Sequence, residues 1–230
     1  YVRPMAQETI DSDAKLRGND IAVLITLATE VTEPRDITAL SEMGAVVSLG
    51  HTSANAQQCL DAFNQGATAM THLWNAMAPI YNRDPGPVAA ALDAGVYAGI
   101  ICDGYHVDDM VLRMTLRGAK SPDRLFIVSD SMPTIDGPKS FELYGARVEL
   151  RDGRLINSEG TLAGAHITQA QGVARLVAHL DVTLERALRM AITTPAELMK
   201  RPELGRLLGQ HRDHLILVSD DGQSAQRFTL

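Results

Sequence analysis

The chain has 230 residues, 45% hydrophobic and 21% charged, with a formal net charge of −7. That balance suits a globular fold with one sizeable core, and the acidic excess without any basic run excludes a nucleic-acid groove. No run of about 18 apolar residues offers a membrane span, and the 2 cysteines, Cys59 and Cys102, read as buried thiols of a cytoplasmic protein, not a disulfide framework.

The chain opens on Tyr1-Val2-Arg3-Pro4, without an initiator methionine or a lead-in to a strand, so a piece of a larger protein is expected. Residues 1–20 are polar and loop-like. Ile21–Ala28 (IAVLITLA) is an unbroken apolar run, as expected of a strand buried on both faces of a parallel sheet, and Thr29-Glu30 close it. Pro34–Met43 reads as a helix with proline in its first turn and Gly44 behind it. Ala45–Leu49 is a second strand, ended by Gly50-His51. Ser53 or Asn55 can cap the next helix, which carries Cys59, Leu60 and Phe63 on one face and ends at Gly66.

Ala67–Thr71 is a third strand, and His72 follows at once. A right-handed βαβ unit brings the C-terminal ends of both strands to one rim. On that rim α/β barrels keep their chemistry, so His51 and His72 are expected side by side. Two imidazoles so placed suit Zn²⁺ or another divalent transition ion. A lone histidine is more often a structural hydrogen-bonder. Two at matched strand ends put ligation on an equal footing, and the pair alone does not choose a metal.

Ala78–Gly86 is long for a βα loop, where about 2–6 residues is usual. Pro79 and Pro85 stiffen it, so it should project and present Arg83 at its tip. Pro87–Ala94 is a short helix, and Tyr97–Cys102 a fourth strand that delivers Asp103-Gly104-Tyr105-His106 to the same rim. After a helix over Val107–Arg117, Leu125–Ser129 is a fifth strand with Asp130 at its end. Repeated alternation of apolar strand, polar strand end and helix predicts a parallel sheet or (β/α) barrel.

The pattern then changes. Ala146–Leu150 and Arg154–Ile156 flank Asp152-Gly153, a hairpin turn, within an insertion near 142–162. Helices follow near Thr168–Leu180, Thr183–Ala191 and Pro195–Met199. From residue 204 to 230 the chain holds a strand at His214–Ser219 and a turn at Asp220-Asp221-Gly222, a small β layer set apart from residues 1–203.

A metal-dependent hydrolase needs ligands for its ion and a carboxylate that takes a proton and returns it. Asp130, at the last strand end, suits that carboxylate. Its competing use is a helix N-cap within Ser129-Asp130-Ser131.

Several segments together resemble the N-acetylglucosamine-6-phosphate deacetylase family of the amidohydrolase superfamily. They are Thr26–Glu30 (TLATE), Gly50–Ala54 (GHTSA), Thr71–Met77 (THLWNAM) with Asn82–Gly86 (NRDPG), Asp103–Asp108 (DGYHVD) and Ser129–Pro133 (SDSMP). Thr161–Ala165 (TLAGA) is a weaker sixth. The resemblance implies a (β/α)8 TIM-barrel metal-dependent hydrolase, here roughly strands four to eight, plus C-terminal strands of a small β-sandwich. It implies hydrolysis of the acetamide of N-acetylglucosamine 6-phosphate with a divalent ion, Zn²⁺ foremost and Fe²⁺, Co²⁺ or Mn²⁺ as alternatives.

Residue by residue, the resemblance makes His51 and His72 metal ligands and Asp130 the catalytic aspartate. Asn75 and Ala76 would hold the substrate phosphate. Asp103, Gly104, Tyr105 and His106 would line the substrate site, with His106 as a substrate-binding histidine. Leu162, Ala163 and Gly164 would close over it, and Arg83 would reach the phosphate of a partner subunit in a homodimer. The family's glutamate ligand, in an HLEGP-like segment, has no counterpart here. Glu30 belongs to a different family segment and is not taken as that ligand. The alternatives are another amidohydrolase, acting on a cyclic amide or an unphosphorylated N-acetyl sugar, and a non-catalytic sugar-phosphate binder.

Overall fold

A computed structural model describes Ile10, Asp11, Lys15 and residues 21–228. Ile10, Asp11 and Lys15 are helical, where a loop-like opening over 1–20 is expected, and the rest of that stretch lies outside the described residues. The chain forms two compact units. One holds Tyr1–Ile100, Thr115–Phe126 and Ile192–Arg206, and the other Ile101–Met114, Ile127–Ala191 and Leu207–Leu230.

The first unit is built on a five-stranded sheet in the order β1-β2-β3-β4-β5. Its strands are β1 (Leu24–Leu27), β2 (Val46–Leu49), β3 (Ala67–Met70), β4 (Tyr97–Ile100) and β5 (Leu125–Ile127). Pairing is parallel from β1 to β4, with Leu27 beside Leu49, Leu49 beside Met70, and Met70 beside Ala98. This is a segment of a (β/α) barrel wall: each strand's sequence neighbour is its neighbour in the sheet. Val46, Val47 and Leu49 are buried. That fits a strand covered on both faces, where β-branched side chains pack well.

β1 differs from the expectation of full burial. It pairs only with β2 among the described residues, and Ile21 and Leu24 are 46% and 40% exposed. A strand at a sheet edge loses the cover that a second neighbour brings.

Helices α1 (Pro34–Glu42) and α2 (Ala56–Asn64) join the first three strands. Asn55, not Ser53, caps α2, in a reciprocal pair with Gln58: each side chain accepts from the other's backbone N–H at 2.9 Å. Its buried residues are Cys59 and Ala62, while Leu60 and Phe63 are only half-buried. Burial pushes the Cys59 thiol up to about 11 and that of Cys102 up to about 12, so both stay protonated and unreactive at neutral pH. α3 (Gly86–Ala94) leads to β4, and α4 (Asp109–Gly118) precedes β5.

The hairpin expected near Asp152-Gly153 is a three-stranded antiparallel meander: β6 (Ser140–Leu143), β7 (Ala146–Arg151) and β8 (Arg154–Asn157). β6 is not expected from the sequence because the polar–apolar alternation of SFEL lasts only four residues, soon after Gly137-Pro138. The next helices are α5 (Gln169–His179), α6 (Leu184–Leu188) and α7 (Thr194–Leu198). A π-helical stretch, Arg189–Thr193, joins α6 to α7 where separate helices were expected. Pro195 has no N–H to give, and a widened turn absorbs the break in the ladder. β9 (Ile216–Val218) and β10 (Ala225–Arg227) close the chain as a two-stranded antiparallel ribbon. Among the described residues no helix is long and apolar enough to cross a membrane.

Candidate active site

In the first unit, three strand ends converge under the two histidines. Thr71 Oγ1 lies 2.8 Å from Thr26 Oγ1 and 2.6 Å from Ser48 Oγ. A Cβ on Gly50 would sit 2.8 Å from Thr71 Cβ and 2.9 Å from Thr26 Cγ2, so only glycine lets β2 turn there. His51 and His72 each stand two residues past their strand. Both have left-handed backbones, with φ of 49° and 26°.

Their Nε2 atoms face each other at 2.9 Å, with ring centroids 4.7 Å apart and planes at 71°. His72 is 8% exposed, and its Nδ1 is buried without a hydrogen-bond partner. Two ligands about 2.0–2.1 Å from one tetrahedral ion would place their nitrogens only slightly farther apart. The donor set therefore fits a divalent transition ion. Among the described residues no group of three His, Cys, Asp or Glu is gathered, so the pair would offer an ion two ligands.

Glu30, just past β1, reaches the loop behind His51. Its Oε2 accepts from the Thr52 hydroxyl, and its Oε1 accepts from Ser53 N–H at 2.8 Å. Burial raises the Glu30 pKa, but the Ser53 and Thr52 hydrogen bonds outweigh it and hold the carboxyl below its ordinary value. This contact was not foreseen; its only sequence signal is a carboxylate at a strand end beside a loop rich in donors.

Past His72 the backbone alternates. Trp74 and Ala76 have φ of 81° and 50°, while Leu73 and Asn75 are not left-handed. Alternation of this kind forms concavities of N–H groups that bind anions. Asn75 N–H donates to His72 O at 3.0 Å, and its side-chain amide makes longer contacts to His72 O and Leu73 O at 3.3 and 3.4 Å. Trp74 Nε1 donates to the buried Thr115 hydroxyl at 2.9 Å, anchoring the loop. Farther on, Tyr81 N–H bonds to Asp84 O at 3.0 Å, and Gly86 packs back on Ala78 and Pro79. The loop is thus pinched at its base and turned at its tip, where Arg83 is exposed.

In the second unit, Asp103 organises its own loop. Its Oδ1 accepts from the N–H groups of Tyr105 and His106, both at 2.9 Å, and its Oδ2 meets His106 Nδ1 at 2.7 Å. The Asp103 and His106 side chains are 6% and 7% exposed. Burial raises the Asp103 carboxyl, but these three donors hold it below 3.8. Gly104 (φ 80°) lies against the Arg175 guanidinium, which pairs with Asp109 at 3.0 Å. Tyr105 OH donates to Asp152 O at 3.1 Å, and Arg154 lies over its ring at 5.6 Å. The β7–β8 turn therefore buttresses this loop, a contact with no signal in the local sequence. A cavity of about 410 Å3 runs beside it, lined in part by Asp103, Tyr105, His166 and Arg175.

Asp130 (φ 51°) caps no helix. Its carbonyl accepts from Ala165 N–H at 2.8 Å, and Ser131 forms a parallel bridge with Ala165. Gly164 lies against Asp130 O and the Met132 side chain, so the Leu162–Gly164 segment and Asp130 are neighbours. Leu162 itself bridges Ile156, beside the end of β8.

Histidine-ended parallel strands and a carboxylate after the fifth define the class of (β/α)-barrel metal-dependent hydrolases. Comparisons narrow this. No family model matches the chain. It is 34% identical to the N-acetylglucosamine-6-phosphate deacetylase of Haemophilus influenzae, covering 85% of this chain and 51% of that protein. It is 35% identical to the N-acetylgalactosamine-6-phosphate deacetylase of Shewanella sp. ANA-3, over 86% of this chain and 50% of the relative. The structure of N-acetylglucosamine-6-phosphate deacetylase from Pasteurella multocida superposes with a TM-score of 0.88 at 35% identity, over 96% of this chain and 58% of that one. A mutant of the Mycobacterium smegmatis enzyme, in complex with N-acetyl-D-glucosamine-6-phosphate, gives 0.86 at 28%, over 96% and 59%. Enamidase, an amidohydrolase-superfamily member at 10% identity and a TM-score of 0.52, shares the fold alone. The chain belongs to the N-acetylglucosamine-6-phosphate deacetylase family, and it spans about half the length of the curated relatives it matches.

Proposed function

We propose that this chain carries the metal-binding and catalytic residues of an enzyme that hydrolyses the acetamide of N-acetylglucosamine 6-phosphate to glucosamine 6-phosphate and acetate. The observation that carries the reading is the facing pair of His51 and His72 Nε2 atoms, 2.9 Å apart at adjacent strand ends. The family implies a divalent ion, and Zn²⁺ is the first candidate because imidazole nitrogens are among its usual ligands. When bound, such an ion polarises the amide carbonyl and lowers the pKa of water toward ~7.

The chain's own residues do the rest. Asp130 takes the proton from the attacking water and returns it to the departing amine. The alternating backbone from His72 to Ala76 and the Asn75 amide receive the phosphate. Arg83, at the tip of a pinched loop, pairs with the phosphate bound by a partner subunit, in a homodimer. His106, its Nδ1 engaged by Asp103, offers its other ring nitrogen to the sugar. Leu162, Ala163 and Gly164 cover the sugar. The phosphate is remote from the reacting carbon, so its binding energy can position the amide.

A second reading is the 4-epimer, N-acetylgalactosamine 6-phosphate, because the Shewanella relative is named for it at 35% identity. The test is release of free amine from both 6-phosphates and from unphosphorylated N-acetylglucosamine, with Zn²⁺ added. Turnover of the gluco 6-phosphate foremost supports the proposal. Preference for the unphosphorylated sugar, or for neither, overturns it.

A further inference from the structure

Glu30 takes no part in the chemistry proposed above, yet both of its carboxylate oxygens are engaged on one loop. The donors are the Thr52 hydroxyl and Ser53 N–H, from the two residues that directly follow His51. Leu27 and Leu49 pair in register, so Glu30 stands beside this loop at the end of the neighbouring strand.

His51 needs such a partner. Its φ of 49° is left-handed, a region that residues with a side chain rarely adopt. A backbone of that kind persists only where its surroundings over-determine it. Thr52 is the hub of those surroundings. Its hydroxyl also accepts from Ala54 N–H at 3.1 Å, its carbonyl accepts from Ala78 N–H at 3.3 Å, and it bridges Met77. One carboxylate therefore fixes the turn that carries His51 and, through Thr52, the chain beyond His72.

We infer that Glu30 is a positioning residue: by holding Thr52 and Ser53 it aims His51 Nε2 at His72 Nε2. Its purpose, though not its geometry, rests on the metal-ligand reading of that pair. Groups that orient a ligand typically contribute 10–100-fold to metal affinity.

The experiment uses the whole 230-residue chain, first metal-free and then with Zn²⁺ alone. In the metal-free chain, NMR should show nuclear Overhauser contacts between the His51 and His72 rings. Glu30→Ala and Glu30→Gln should abolish them or weaken them at least threefold. Thr52→Val, which removes one donor at constant shape, should weaken them too and serves if Glu30→Ala does not fold. Zn²⁺ affinity should fall about 10–100-fold in the Glu30 variants. Unchanged ring contacts in the folded variants would overturn the inference, as would Zn²⁺ affinity within twofold of the parent. If the parent binds no Zn²⁺, the metal reading fails, and the ring contacts still decide the role of Glu30.

Discussion

The structure aims its imidazoles in two ways. His106 is set by a carboxylate three residues before it: Asp103 takes the ring and two backbone N–H groups of a single loop. His51 and His72 are set at a distance. Each has a left-handed backbone; Glu30 holds Thr52 after His51, Thr52 bridges Met77 beyond His72, and Thr71, just before His72, bonds to Thr26 on β1. The local device needs only its own few residues. The non-local one needs the sheet register. A defect in the loop should therefore remain a binding defect, whereas a defect in the sheet should reach metal, stability and activity together.

The largest effect lies outside both devices. Asp130→Asn in the active enzyme should cut turnover by roughly 10²–10⁴-fold while leaving Zn²⁺ content and substrate affinity nearly intact. Loss of metal or of folding instead would make Asp130 part of the positioning framework, and the contrast between aiming and proton transfer would collapse.

Arg83 comes next. Arg83→Ala should raise KM for the 6-phosphate roughly 10–100-fold, the worth of a charge-assisted hydrogen bond, and barely change the use of an unphosphorylated N-acetyl sugar. Mixing Arg83→Ala with Asp130→Asn subunits sharpens this. If Arg83 acts across a dimer, the mixture regains one site with both groups. No recovery after proven subunit exchange would rule out the trans arrangement.

Gly50→Ala probes the non-local device. The added methyl would press on Thr71 and Thr26, and overpacking of this kind costs typically 1–3 kcal/mol. The variant should lose several degrees of Tm and bind Zn²⁺ more weakly. An unchanged melting curve with weakened Zn²⁺ binding would show that the strand ends aim the histidines without supporting the sheet.

These two devices also explain what could be read in the chain. Strand, polar end and helix recur along the chain, so β2 to β5, the helices between them and the strand-end places of His51, His72 and Asp130 were legible from local pattern. The DGYH loop was legible as a strand end and through its family resemblance, and its hydrogen bonds close within four residues. The hold of Glu30 on Thr52 spans 22 positions, and that of Tyr105 on Asp152 spans 47. No local pattern encodes either contact, since both arise from register and from a meander whose first strand was itself invisible. The exposure of β1 was misread for a related reason: an apolar run reports what a strand could bury, not which neighbours it has.

The smallest expected effect is the pH response of the local device. Asp103 in the folded chain lies below 3.8, its ordinary value, because His106 and two backbone N–H groups outweigh the cost of its burial. A carboxyl depressed by folding stabilises the fold above its unfolded pKa, and that contribution disappears as pH falls through the folded value. The loop should therefore keep its form through the ordinary aspartate range and loosen only below it. Tyr105 and His106 amide signals, followed by NMR from pH 5 to 2, should report a transition beginning under the ordinary aspartate range. Asp103→Asn should remove that transition, because the amide does not titrate. It should also raise KM without changing Zn²⁺ affinity, since nothing in this loop sets His51 or His72. If Asp103→Asn weakened Zn²⁺ binding as much as Gly50→Ala does, the two ways of holding an imidazole would not be separate.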